Sequence, residues 1–201
     1  RSQTGVWRIQ IPRRYTGYRY RGAMENLKQM REDTLERLVE VTVEPSSHPA
    51  LHHVLEPVVG VDMVDDESKT ERRPSKHMRA PEEWDVPHNP AFAYYAYYVY
   101  ANLYTLNKLR ESRGLNVITF RPHAGEAGDL DHLAAAFLTT TNLAHGINFR
   151  KSPVLQSQYS PAELGPNTAP LHTNARFLES HRTPSPAFFG LRSGSAHDTA
   201  A

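Results

Sequence analysis

The stretch VITFRPHAGEAGDLDHLAAAFL, residues 117–138, changes its hydrophobic period within a few residues. Val117, Ile118, Thr119 and Phe120 form a β-branched and aromatic run that reads as a short buried strand. Asp129 is placed as an N-cap, and Leu130, Leu133, Ala134 and Phe137 then recur at helical spacing. The pattern repeats along the chain. LVEVTV, ending at Val43, VVGVDMVDDES at 58–68 and NLAHGINFR at 142–150 read as further strands. Between them lie a short helix after residue 48, a long helix opened by Asn89 as N-cap and Pro90 and stopped at Gly114, and the helix from 130 to about 141. An amphipathic helix over 23–38 precedes the first strand. Such alternation argues for βαβ units and a parallel sheet, open or closed into a barrel. It predicts strands near 38–43, 58–64, 116–121 and 143–148, adjacent in that order. The segment holding Val6, Trp7, Ile9 and Ile11 reads as an edge piece and loop, and 69–88 as a surface loop. The tyrosines of the long helix fall on most of its faces, which predicts a well-covered helix.

Composition removes several classes of function. The formal net charge is +1, and no basic stripe with interleaved aromatics marks a nucleic-acid surface. Cysteine is absent, so there is no disulfide framework, thiol nucleophile or Cys-ligated zinc, and the zinc base deaminases with a PCxxC signature are excluded. The best membrane candidate, AFAYYAYYVYANLYTL, is too short and too rich in Tyr and Asn to span a bilayer. No signal peptide is visible, which makes the cytoplasm the expected location, and the initial Arg reads as a cut end. Past Gln156 the chain turns rich in Pro, Ser, Thr and Ala, so residues 157–201 are expected to be poorly structured.

The candidate chemistry lies where strands give way to loops. PHAGEAGD ends one strand and AHGIN follows one helix later, so His123, Glu126 and His145 converge on one rim of a parallel sheet. DMVDDE at 62–67 adds Asp65, Asp66 and Glu67 to that rim. Imidazoles and carboxylates without cysteine suit a hydrolytic zinc site. They equally suit core histidines satisfied by neighbours and acids that cap a helix.

Four segments carry a resemblance: VDDESKTERRPSKHM, NPAFAYYAYYVYANLYTLNKLRESRG, FRPHAGEAGDLDHLAAAFL and NLAHGINFRKSPVLQ. From roughly Trp7 to Gln156 they resemble the AMP deaminase family, and its plant or algal branch especially. The resemblance implies a metal-dependent hydrolase built on a (β/α)8 TIM barrel, of which residues 1–156 would be a part and 157–201 a divergent tail. It implies hydrolysis of AMP to IMP and ammonia with a Zn2+ cofactor, and a homo-oligomer in the full-length enzyme. His123 would be a zinc ligand. Glu126 would contact purine N1 and protonate it, His145 would be the general base, and Asp65 would lie near the purine. Arg150 and Lys151 are compatible with a substrate phosphate. The family's His-x-His pair and Ser-Thr-Asp-Asp-Pro motif do not occur in this sequence, so the chain alone is expected to be inactive. A non-catalytic remnant or interaction fragment of the family is the alternative, with nucleoside deamination a third.

Overall fold

The computed structural model describes residues 5–71, 77–140, 142–159 and 165–167. Its first element is β1 (Trp7–Pro12), a strand at the edge of the first sheet where the sequence suggests an edge piece and loop. Only Ile11 of β1 is buried, so the segment lacks the apolar run that marks an inner strand. A short helix α1 (Tyr15–Tyr20) follows, and then α2 (Leu27–Val43), capped by the Asn26 side chain accepting from Gln29 N–H at 3.1 Å.

The strand expected over 38–43 is instead the last part of α2. Leu38, Val41 and Thr42 are buried there while Val39 and Val43 are exposed, which is helical spacing and not alternation. Packing against the long helix outweighs the β-propensity of the run. Thr42 Oγ1 donates back to Leu38 O at 2.6 Å and accepts from the buried Arg110 guanidinium at 3.2 Å.

After α3 (Pro49–Leu55) comes β2 (Val58–Val64), over the residues predicted. It is buried at five of seven positions, as expected of a strand covered on both faces. Gly60 is needed there because a Cβ would stand 3.0 Å from Thr119 O and 3.3 Å from the Arg121 side chain.

The long helix α4 spans Phe92–Ser112. Asn89 does not cap it; its side chain accepts from Thr16 N–H and donates to Arg13 O, tying the loop to the end of β1. Gly114 does mark the stop, with φ +69° and the next amide, of Leu115, donating to Arg110 O at 2.9 Å. Phe92, Tyr95, Ala96, Val99, Leu103 and Leu106 face the core. Tyr97 and Tyr104 are more than half exposed, so the helix is not covered all round.

Of the predicted strand at 116–121 only β3 (Thr119–Phe120) forms, and a further short strand, β4 (His123–Ala124), follows beyond Arg121-Pro122. Helix α5 (Asp131–Thr139), strand β5 (Asn142–His145), a 3-10 turn over Ile147–Lys151, helix α6 (Pro153–Tyr159) and strand β6 (Gly165–Asn167) complete the order. Asp129 Oδ1 accepts from Asp131 N–H at 3.2 Å, one residue ahead of the N-cap position held by Leu130.

Among the described residues all pairing is parallel, in two open three-stranded sheets ordered β1-β2-β3 and β4-β5-β6. The first sheet therefore holds β1 where a strand at 38–43 was expected. α6 runs across the expected change of character at Gln156, and β6 pairs beside β5. Residues 160–164 and 168–201 of the expected tail lie outside the described residues, as do residues 72–76 of the surface loop. No described helix is long and apolar enough to cross a membrane.

Candidate functional site

The parallel register of β2 against β3 pairs Gly60 with Thr119 and Val61 with Phe120, so the chain beyond β3 emerges beside Asp62. His123 opens β4 there, and its Nδ1 lies 2.7 Å from Asp62 Oδ1. Asp62 is buried and His123 is partly open. A carboxylate accepts only, so Nδ1 carries the hydrogen. That bond raises the His123 pKa above the usual imidazole value; burial opposes it, and Glu67 and Glu126 add to it.

His145 closes β5, one register step from His123. The two rings stand 4.7 Å apart, and His145 Nε2 is 3.5 Å from Glu126 Oε2. His145 has φ +75°, the only non-glycine residue with positive φ among those described, and Gly146 follows at φ +69°. Such a backbone costs on the order of 1–3 kcal/mol, and it persists where surrounding contacts fix it. Here Gly146 N–H donates to Ala124 O at 3.0 Å and Asn148 N–H to Gly125 O at 2.7 Å. The AHGIN turn is thereby laced to the HAGE loop, and three predicted residues, His123, Glu126 and His145, come together.

Asp65, Asp66 and Glu67 do not share that position. Asp65 pairs with Arg13 at 3.7 Å and Lys69 at 3.8 Å. Asp66 is exposed and accepts from the Ser68 amide and hydroxyl. Glu67 is buried beneath the HAGE loop, where its Oε2 accepts from Gly125 N–H at 2.7 Å. Asp62 is the residue the sequence reading passed over. Its signal was a lone carboxylate inside a buried β-branched run, which has to find a partner.

A histidine whose Nδ1–H is fixed on a carboxylate presents Nε2 outward, the usual arrangement of a metal-ligating imidazole. His123 fits one corner of a zinc site on that ground. Among the described residues, however, no three His, Asp or Glu side chains gather to hold a metal ion. The described donors do not by themselves form the site.

Histidines and carboxylates gathered at the carboxyl ends of parallel strands define an α/β protein with its candidate site at the end of the sheet where such folds carry reactive residues. The comparisons name it more closely. The family model for AMP deaminase matches residues 1–198. A probable AMP deaminase of Oryza sativa is 57% identical over 94% of this chain and 23% of its own length. The AMP deaminase of Arabidopsis thaliana is 56% identical over 94% of this chain and 22% of its own, and AMP deaminase 1 of Mus musculus is 43% identical over 89% and 24%. The chain belongs to the AMP deaminase family. It spans under a quarter of the length of these relatives.

Proposed function

We propose that this chain carries one wall of an AMP deaminase active centre, the wall that handles protons at the purine ring. The observation that carries the reading is the cluster of His123, His145 and Glu126 on two laced loops. In the hydrolysis of AMP, water adds at C6, the bond from C6 to the exocyclic nitrogen breaks, and ammonia leaves IMP. Glu126, facing His145, protonates N1 as the water adds, which relieves negative charge building on the ring. His145 accepts the proton of the attacking water. His123, held by Asp62, is the donor that the described residues offer to the zinc that the family uses to activate water.

The two parallel sheets are then successive arcs of a (β/α)8 barrel. Their continuity supports this: Arg121 N–H donates to Val61 O at 2.8 Å and Ala144 N–H to Pro122 O at 2.9 Å, so one ladder leads into the next. Asp65, engaged by Arg13 and Lys69, is better read as holding the loop after β2 than as a purine contact. A second reading, a non-catalytic remnant of the family, is favoured by one observation, the lack of a three-donor group among the described residues.

A chimera separates the two. Residues 5–159 replace the matching segment of the Arabidopsis relative, and release of ammonia from AMP is followed. The proposed function predicts turnover that His123→Ala removes. A folded chimera without turnover would favour the remnant.

A further inference from the structure

Behind the candidate site, five segments meet at His132. This α5 residue is 3% exposed, and each ring nitrogen faces a different carboxylate. Nδ1 is 3.4 Å from Glu67 Oε2 and Nε2 is 3.3 Å from Glu71 Oε2. A neutral imidazole has one N–H, so only the charged ring can donate to both. Glu71 also pairs with Arg13 at 2.5 Å and accepts from Phe92 N–H at 2.7 Å. The His132 ring stacks on Phe92, with centroids 4.5 Å apart, and the Arg13 guanidinium lies 5.2 Å from the same phenyl ring.

Glu67 links this network to the site. Its Oε2 serves both His132 and Gly125 N–H, while its buried Oε1 has no hydrogen-bond partner among the described residues. The loop also closes tightly on the Glu67 backbone. A Cβ at Gly128 would stand 2.0 Å from Glu67 O.

We propose that charged His132 is the positioning residue of the 123–128 loop, acting through Glu67 on the Gly125 amide and so on the placement of Glu126. Glu67 and Glu71 both face His132, and Arg13 is shared between Glu71 and Asp65, so the two carboxylates on the ring are fully compensated only while it is protonated. Asp129, Asp131 and Lys69 line the cleft of about 310 Å3 on the same side and complete the ionisable surroundings. Burial works against the ring's charge, but the hydrogen bonds to Glu67 and Glu71 outweigh it and hold the pKa at about 9. Loss of that proton leaves one N–H for two carboxylates; held on Nε2 toward Glu71, the nearer at 3.3 Å, it leaves Glu67 with the Gly125 amide alone. The inference bears on the proposed reaction through Glu126, yet it is read without catalysis, so a failed deaminase assay does not decide it.

The test is NMR on the intact polypeptide between pH 6 and 10. His132 should titrate with a midpoint near 9. Across the same midpoint the Gly125 amide should lose about tenfold of its exchange protection, corrected for intrinsic rate, while the Ile9 and Met63 amides in the first sheet keep theirs. In His132→Gln, Gly125 should be as open at pH 7 as the wild type is at pH 10. A His132 midpoint near 6.5, or Gly125 protection unchanged as the ring deprotonates, overturns the proposal. The wild-type titration stands by itself, so a variant that fails to fold leaves the test intact.

Discussion

Asp62 holds His123 by its Nδ1 hydrogen at 2.7 Å, across 61 residues of chain. The pair orients the imidazole and stabilises its charged form, because a buried carboxylate gains most from a charged partner. In the metal-free polypeptide, Asp62→Asn should bring the His123 midpoint down toward the ordinary value near 6.5, read from its ring carbon shifts. An unchanged midpoint would mean that some other group sets the charge of His123.

Stability should depend on pH through the contact of Glu71 with His132. Burial opposes the charge on Glu71, but His132 and Arg13 outweigh it and lower its pKa to about 2. Its contribution is therefore present above the unfolded value near 4.5 and is lost as pH falls toward 2. His132 is raised to about 9, so its contribution is full below roughly 6.5 and lost as pH rises through 9. The two shifts share the Glu71–His132 contact and are not added; with Arg13 and Glu67 the cluster contributes on the order of 3 kcal/mol. The urea midpoint should be highest near pH 5.5 and lower at pH 3 and pH 9.5, and Glu71→Gln should flatten the difference. Equal midpoints for the wild type at pH 5.5 and 9.5 would contradict this.

Two glycines separate backbone strain from crowding. Gly22 and Gly128 have nearly the same φ, +67° and +68°, but nothing lies within 4 Å of a Cβ at Gly22. Gly22→Ala should cost about 1–2 kcal/mol, the penalty of a left-handed alanine. Gly128→Ala must also displace the Glu67 backbone, and should cost several times as much or prevent folding. Comparable unfolding midpoints for the two variants would show that the 123–128 loop yields easily.

How much of this was legible follows from burial. β2 is readable because its apolar run is covered on both faces, and α4 because of its length and its glycine stop, although Asn89 does not cap it. The 38–43 run misled because Val and Thr favour strands, while its real partners, α4 and Arg110, are distant in sequence. β1 shows in the sequence only as an edge piece and loop, because pairing with β2, and not burial, makes it a strand. His123, Glu126 and His145 were visible as strand-end polar residues. Asp62 and His132 were not singled out, since each draws its meaning from a partner about sixty residues away.

The most direct measurement is turnover of AMP by the Arabidopsis chimera carrying residues 5–159 of this chain, with and without Glu126→Gln. A positioned proton donor is worth roughly 10²–10⁴-fold in rate, and an amide cannot supply the proton. The account predicts a fall of that size in kcat for Glu126→Gln, with the variant as stable as the parent chimera. Near-parental kcat in the Glu126→Gln chimera would contradict the assignment of proton transfer to this wall of the site.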